Sequence, residues 1–216
     1  MVGLDPKILL RAYSVGLFPM AESFHDPTLY WIDPEKRGVI PLNKFHIPRR
    51  LRKSVRRAKY DIRCDSAFEE VIRRCATPAP GRKETWINKE IINLYTELYT
   101  IGQAHSVEAW LDNKLVGGLY GVTMGGAFFG ESMFSDARDA SKISLVHLVA
   151  RLNAGGFKLL DTQFVTKHLS QFGVVEIHRS GYRQLLTSAL EITADFLPDL
   201  SNDMLEMFIQ STTQTS

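Results

Sequence analysis

Apolar residues recur at helical spacing at the start of the chain, where Ile8, Leu9, Ala12 and Tyr13 form one stripe over residues 5–15 before Gly16 and Pro19 end the pattern. From Asp26 to Pro41 no period is visible. Three prolines beside Tyr30 and Trp31 predict an ordered loop there, anchored by aromatic rings and lining something. Helical spacing returns over Pro48–Lys59, Ala67–Cys75 and Lys89–Ile101, with a breaker-rich surface loop at Thr77–Gly81.

The period then shortens to two. Strands are predicted at Ser106–Leu111, Lys114–Thr123 and Ala127–Phe134, joined by the Asp112-Asn113 and Gly125-Gly126 turns into an antiparallel meander. A helix over Ala140–Ala154 ends at Gly155-Gly156. The strand Phe157–Phe164, a short helix, a short strand near Val174–Ile177 and a last helix follow. Antiparallel strands leading into a β-α-β-α order suit an α+β domain of acyltransferase type. Residues 1–62 read as a small helical and loop subdomain, 63–200 as the catalytic domain, and the polar 201–216 as a frayed tail.

Composition narrows the class. With 216 residues, 44% of them hydrophobic and 23% charged, the chain can bury a proper core. No apolar run approaches the roughly 20 residues of a membrane span. The N-terminal segment carries Asp5, Lys7 and Arg11, which does not read as a signal peptide. Cys64 and Cys75 read as small buried hydrophobes in a reducing compartment, which points to the cytoplasm. Six scattered histidines without metal-ligand spacing, and no phosphate-binding glycine loop, predict no metal and no cofactor.

A net charge of +2 hides a cluster. The helix PRRLRKSVRRAK places Arg49, Arg52, Lys53, Arg56 and Arg57 on one side, with Arg50 beside them, and Leu51, Val55 and Ala58 opposite. No acid interrupts residues 44–59, which favours a phosphate backbone over an ordinary solvated face.

Two further groups can carry chemistry. Glu131 stands among apolar neighbours in the aromatic strand 127–134, so it is either paired to an Arg or Lys or awaits a cationic ligand such as an amine. Gly130-Glu131-Ser132 approaches a nucleophile elbow, but Phe134 replaces its closing glycine and no tight strand-to-helix turn follows. Asp161 and Gln163 alternate onto the same side of the strand FKLLDTQF, either for structural hydrogen bonds or to take a proton from an attacking amine.

The ordered set LLRAYSVGLFPM at 9–20, Trp31-Ile32-Asp33-Pro34, TWIN at 85–88, AHSVEAW at 104–110, LVGGLYGV at 115–122, FFGESMFS at 128–135, ASK at 140–142, DTQF at 161–164 and HLSQFG at 168–173 resembles the leucyl/phenylalanyl-tRNA–protein transferases. The resemblance implies an acetyltransferase-like (GNAT-type) α+β domain with a mostly antiparallel sheet. It also implies that leucine or phenylalanine, and in some cases methionine, moves from its tRNA to a protein beginning with Arg or Lys, creating a degradation signal. It implies Asp161 and Gln163 as the proton-handling pair, and Trp86, Leu119, Phe128, Glu131, Ser132 and Leu148 around the donor. Arg49, Arg50, Arg52, Lys53, Arg56 and Arg57 then hold the tRNA, and the protein works as a monomer away from membranes. Met20 stands where many members have Trp, and Thr162, replacing a frequent Cys, should face away from Asp161 and Gln163. Two rival readings are an acyl-coenzyme A N-acyltransferase and a non-catalytic RNA-binding module. The first lacks the Gln/Arg-x-x-Gly-x-Gly/Ala loop after the 127–134 strand.

Overall fold

The computed structural model describes residues 5–78, 84–196 and 199–212. Helix α1 (Pro6–Ser14) starts where its sequence says it should, with Pro6 in the first turn and the Asp5 carboxylate accepting from the Lys7 amide at 2.8 Å. Short strands β1 (Phe18–Met20) and β2 (Tyr30–Ile32) then pair as an antiparallel ribbon.

Strand β3 (Lys36–Ile40) lies in a second, seven-stranded sheet with β4 (Asp61–Cys64), β5 (Ala104–Leu111), β6 (Lys114–Met124), β7 (Ala127–Ser135), β8 (Leu159–Gln163) and β9 (Val175–His178). The order across the sheet is β4-β5-β6-β7-β8-β3-β9. Every pairing is antiparallel except β7 with β8, which run parallel. The predicted meander is β5 to β7, with a residue or two added at its ends.

The segment 26–41, read from sequence as a loop, therefore holds β2 and β3. Its strand character escaped the pattern because β3 is five residues long and its partners are far downstream: Lys36–Val39 pair with β9, and Gly38–Ile40 with β8. Only that distant pairing fixes the backbone. Strand β3 also carries a piece of the first 62 residues into the same sheet as the meander.

Two apolar cores flank the sheet. Helices α1, α3 (Phe68–Ala76), α4 (Lys89–Thr100) and α6 (Arg179–Leu190) cover one face, with Tyr13, Phe68, Tyr95, Tyr120, Phe129 and Tyr182 in its core. Helices α2 (Arg49–Arg56), α5 (Ala140–Ala154) and α7 (Asn202–Ser211) cover the other. Helix α5 sits close to β6 because Gly117 has no side chain: a Cβ there would stand 2.5 Å from that of Ala140.

Three details correct the sequence reading. Helix α2 ends at Arg56, and Ala58, assigned to its apolar side, is exposed with φ of 46° as the chain turns away. The expected tail forms α7, capped by the Ser201 hydroxyl and anchored by Ile209, which is 1% exposed, because Leu205, Phe208 and Ile209 return to one face every three or four residues. Of the loop expected at 77–81, residues 79–81 lie outside the described residues, as do 213–216 of the tail.

Candidate active site

Strands β7 and β8 pair only over Ala127–Phe129 and Leu159–Asp161. Beyond Gly130 they part, and the sheet opens into a cleft of about 860 Å³. Its walls come from both faces. Phe18, Met20, Trp86 and Tyr120 stand on the α1/α4 side; Leu145 and Leu148 of α5, Leu160 and Leu169 stand on the other.

Of the residues assigned to the donor, Trp86, Leu119, Glu131, Ser132 and Leu148 line this cleft. Phe128 does not: it is fully buried, its ring against the Gly121 backbone and 6.0 Å from the Phe196 ring. Gln163 lines the cleft, and so does Thr162, which the alternation of the strand had turned away from Gln163.

Glu131 owes its position to a register break. Tyr120 pairs with Ser132 and Gly121 with Gly130, so Glu131 is an extra residue in a β-bulge. Bulges re-aim side chains, and here the carboxylate turns to the α1/α4 side. Tyr13 donates to Oε1 at 2.6 Å, Tyr95 to Oε2 at 3.0 Å, and Gln163 Nε2 to Oε1 at 3.3 Å. The partners are hydroxyls and an amide, so of the two readings of this acid the one that paired it with an Arg or Lys falls away. Burial raises the Glu131 carboxyl to about 7, against the lowering effect of the tyrosine hydrogen bonds.

Proton counting agrees with that direction. The Tyr13 and Tyr95 hydroxyls also lie 2.5 Å apart, closing a triangle with the carboxylate. Three hydrogen bonds need three protons, and two phenols supply only two. A protonated Glu131 completes the ring, whereas an ionised one leaves one side unmade.

Asp161 is turned the other way. Its carboxylate is 0% exposed and accepts from Arg37 Nη2 at 2.7 Å, from Arg37 Nε at 3.0 Å, and from the Tyr182 hydroxyl at 2.8 Å. Arg37 is itself held by the Gly16 carbonyl and lies between the rings of Phe18 and Tyr182, 4.5 and 4.4 Å away. Asp161 Oδ1 also accepts the amide of Gln163 at 2.8 Å. Gln163 has φ of 56°, a left-handed conformation that is strained for a residue with a side chain. The partner strand makes room: a Cβ on Gly38 would come within 2.7 Å of the Phe164 backbone. Asp161 and Gln163 are thus joined, but only Gln163 reaches the cleft.

On α2 Arg49, Arg50, Lys53 and Arg56 are exposed, and so is Arg57 just after it. Arg56 pairs with Glu206 of α7 at 2.6 Å, and Arg52 donates to the Ile47 carbonyl. Arg50, Lys53 and Arg57 gather with Lys59 and Arg138 around a second hollow, which Asp139 and Ile143 also line.

A family model described as leucyl/phenylalanyl-tRNA protein transferase matches residues 39–187, and the model of that family's N-terminal domain matches residues 3–35. The chain belongs to the leucyl/phenylalanyl-tRNA protein transferase family. Proteins named leucyl/phenylalanyl-tRNA–protein transferase are similar to it over most of their length. The one from Caulobacter vibrioides strain NA1000 / CB15N is 61% identical over 188 residues, 87% of each chain. That from Maricaulis maris is 55% identical over 218 residues, 100% of each chain, and that from Rhodospirillum rubrum 54% over 200, covering 93% and 94%. The break between the family's two matched segments falls inside β3, next to Arg37.

Sequence reasoning missed Arg37, Tyr95, Tyr182 and Leu145. Tyr13 was visible only as part of an apolar stripe. Nothing in a local pattern marks a tyrosine whose ring is core and whose hydroxyl meets a carboxylate more than a hundred residues away. One signal existed: an arginine in the short run KRGVI between Pro34 and Pro41, in a chain with buried acids still to be paired. No helix among the described residues is long and apolar enough to cross a membrane.

Proposed function

We propose that the chain transfers a leucyl, phenylalanyl or methionyl group from aminoacyl-tRNA to the N-terminal Arg or Lys of an acceptor protein, creating a degradation signal. The acceptor amine attacks the carbonyl carbon of the aminoacyl ester. A peptide bond forms, the bond to the ribose oxygen breaks, and the proton lost by the amine ends on that oxygen.

The observation that carries this reading is the apolar slot where β7 and β8 part, with one raised carboxyl at its rim. Leu119, Leu145, Leu148 and Leu160 wall the slot. Such a wall favours leucine or phenylalanine over smaller or polar side chains by about 0.8 kcal/mol per buried methylene. Glu131, once ionised, attracts the amine, and the Gln163 amide aligns it. Asp161 acts through Gln163 by holding its backbone, because every oxygen of its carboxylate is already engaged. An aminoacyl ester is activated, so orientation supplies much of the rate. No metal or cofactor enters the scheme.

The parallel pair that splays within an otherwise antiparallel sheet supports an acetyltransferase-like fold for residues 63–200, to which β3 from the N-terminal subdomain adds a strand. Arg49, Arg50, Lys53 and Arg57 hold the tRNA acceptor stem through its phosphates, and the protein acts as a cytoplasmic monomer.

The test is transfer of labelled leucine from leucyl-tRNA to peptides beginning with Arg, Lys or Ala. Label on the Arg and Lys peptides alone, lost in Gln163→Ala, is the expected result. A folded protein that labels none of them refutes the reading.

A further inference from the structure

The aromatic segment that begins at Asp26 brings an unused strand edge to the rim of the cleft. In the β1–β2 ribbon Phe18 pairs with Ile32, Pro19 with Trp31 and Met20 with Tyr30. Proline has no amide to donate, so the hydrogen-bonded pairs are Phe18 with Ile32 and Met20 with Tyr30, and Pro19 and Trp31 face each other without bonds. The amide and carbonyl of Trp31 therefore point away from β1, to the outer edge of β2. Among the described residues no further strand lies on that edge, and no hydrogen bond reaches either group. One donor and one acceptor stand open to a pairing chain.

The register also sets the faces of the ribbon. Opposed residues share a face and successive residues alternate, so Phe18, Met20, Tyr30 and Ile32 look one way and Pro19 and Trp31 the other. Phe18 and Met20 line the cleft. Tyr30, which is exposed, extends their wall outward by one strand, and the exposed Trp31 ring stands on the opposite face. Phe164, exposed and next to Gln163, packs edge to face on Phe18, which joins this aromatic rim to the residue that reaches the cleft. Arg179 donates to the Asp33 carbonyl and so bounds the edge at one end, and the turn from Asp26 to Thr28 bounds it at the other. Between Arg11 and Lys36 the chain carries Glu22, Asp26, Asp33 and Glu35 and no lysine or arginine. Arg179 and Arg183 engage Asp33, but the segment as a whole repels phosphates and suits a chain that begins with a cation.

We infer that the free edge of β2 binds the extended N-terminal segment of the acceptor protein as an added strand, through the amide and carbonyl of Trp31. This rests on the transfer reaction proposed above and gives the path of the acceptor chain once its first residue is in the cleft. The added strand lies about 10 Å from β1, two strand spacings, a distance that about three extended residues cover. Main-chain pairing reads no side chains, so acceptors of unrelated sequence bind alike beyond the first residue, provided that the segment is unfolded.

Backbone N-methylation of the acceptor tests the edge without altering the protein. Eight-residue peptides beginning with Arg, each N-methylated at one position from 2 to 7, are titrated onto the full chain. Binding is expected to weaken about tenfold at one position between 3 and 6, the size of one lost hydrogen bond, and to change little at its two neighbours. In the protein, Trp31→Pro removes the outward amide and spares both hydrogen-bonded pairs of the ribbon, while Trp31→Ala removes only the indole. Trp31→Pro should shrink the advantage in kcat/KM of the eight-residue peptide over an arginyl dipeptide amide about tenfold, and Trp31→Ala by about threefold or less. The peptide series decides the matter even where Trp31→Pro fails to fold. No binding of the parent peptide, or equal binding of every N-methylated one, overturns the inference. So does a dimer in sedimentation that Trp31→Pro dissociates, which gives the edge to a second copy, and so does a weaker affinity of folded Trp31→Pro for tRNA, which gives it to the donor. Peptide binding with one sensitive position, in a protein that transfers no leucine, upholds the strand edge and refutes the reaction instead.

Discussion

Arg37 and Asp161 meet across two antiparallel strands with Nη2 and Oδ2 at 2.7 Å, the arginine side chain 1% and the carboxylate 0% exposed. The pair sets the backbone that carries Gln163 into the cleft, since Asp161 Oδ1 also accepts the Gln163 amide. Asp161 thus lies buried behind the cleft, and Gln163 lines it.

Removing one member of a buried pair leaves the other charge without compensation, at roughly 3–5 kcal/mol. Arg37→Met is therefore expected to destabilise the fold by that order in urea denaturation. Adding Asp161→Leu to it recovers part of the loss. Strictly additive effects would show that the pair is not coupled.

Gln163 separates stability from activity. Its φ of 56° is easily adopted by glycine, so Gln163→Gly is expected to hold or raise the thermal midpoint, by about 0.5–1 kcal/mol of relieved strain, while transfer falls at least tenfold. A variant that melts lower and still transfers normally would contradict both halves.

Glu131 predicts a pH signature. Its carboxyl keeps its proton up to about 7 in the folded chain, against 4.5 as the ordinary value. The folded state then binds more protons than the unfolded state in that window. Glu131 thus contributes stability in full below about pH 4.5, and the contribution is lost as pH rises through about 7. The loss is at most about 3 kcal/mol, less in proportion to the contact this residue has with the cleft. Glu131→Gln should flatten that slope in denaturation at several pH values. Transfer should rise through the same region in the wild type, as the carboxylate that attracts the amine forms, and Glu131→Gln should lose that limb.

Tyr95→Phe tests the ring of hydroxyls. One donor to the carboxylate disappears, so the rise of transfer with pH should move to higher pH than in the wild type, since the lost bond had been lowering the carboxyl. A pH profile that stays in place would show that the tyrosines serve packing alone.

Arg50, Lys53 and Arg57 line one hollow. If they bind phosphates, replacing all three by Ala should make the slope of log affinity for tRNA against log salt shallower by about 2–3, at 0.7–0.9 per contact. Arg56→Ala should change that slope much less, because Glu206 already holds the guanidinium. Equal effects from both would refute this division of the helix.

Along the chain, legibility followed distance. The meander, α3, α4 and α5 were readable because their periods, turns and caps lie within ten or fifteen residues: Asn88 caps α4 through its own side chain, and Gly125-Gly126 turns β6 into β7. Strand β3 was not, since its alternation spans five residues between prolines and its reason for being extended lies at β8 and β9. The candidate site divides in the same way. Glu131 and Gln163 stood out as polar residues in apolar strands. Their partners Tyr13, Tyr95 and, through Asp161, Arg37 came from elements whose own patterns spoke only of packing.

By itself the sequence determined which residues form the meander and most of the helices, that a basic helix carries no acids, and which ordered motifs place the chain in its family, because each of these depends on neighbours in the chain or on residue identity. The tertiary structure alone decided that Asp161 faces Arg37 while Gln163 faces the cleft, that a bulge turns Glu131 toward two tyrosines, and that β7 and β8 part to open the slot. Those outcomes depend on which strands lie side by side and in what register, and local chemistry does not encode that.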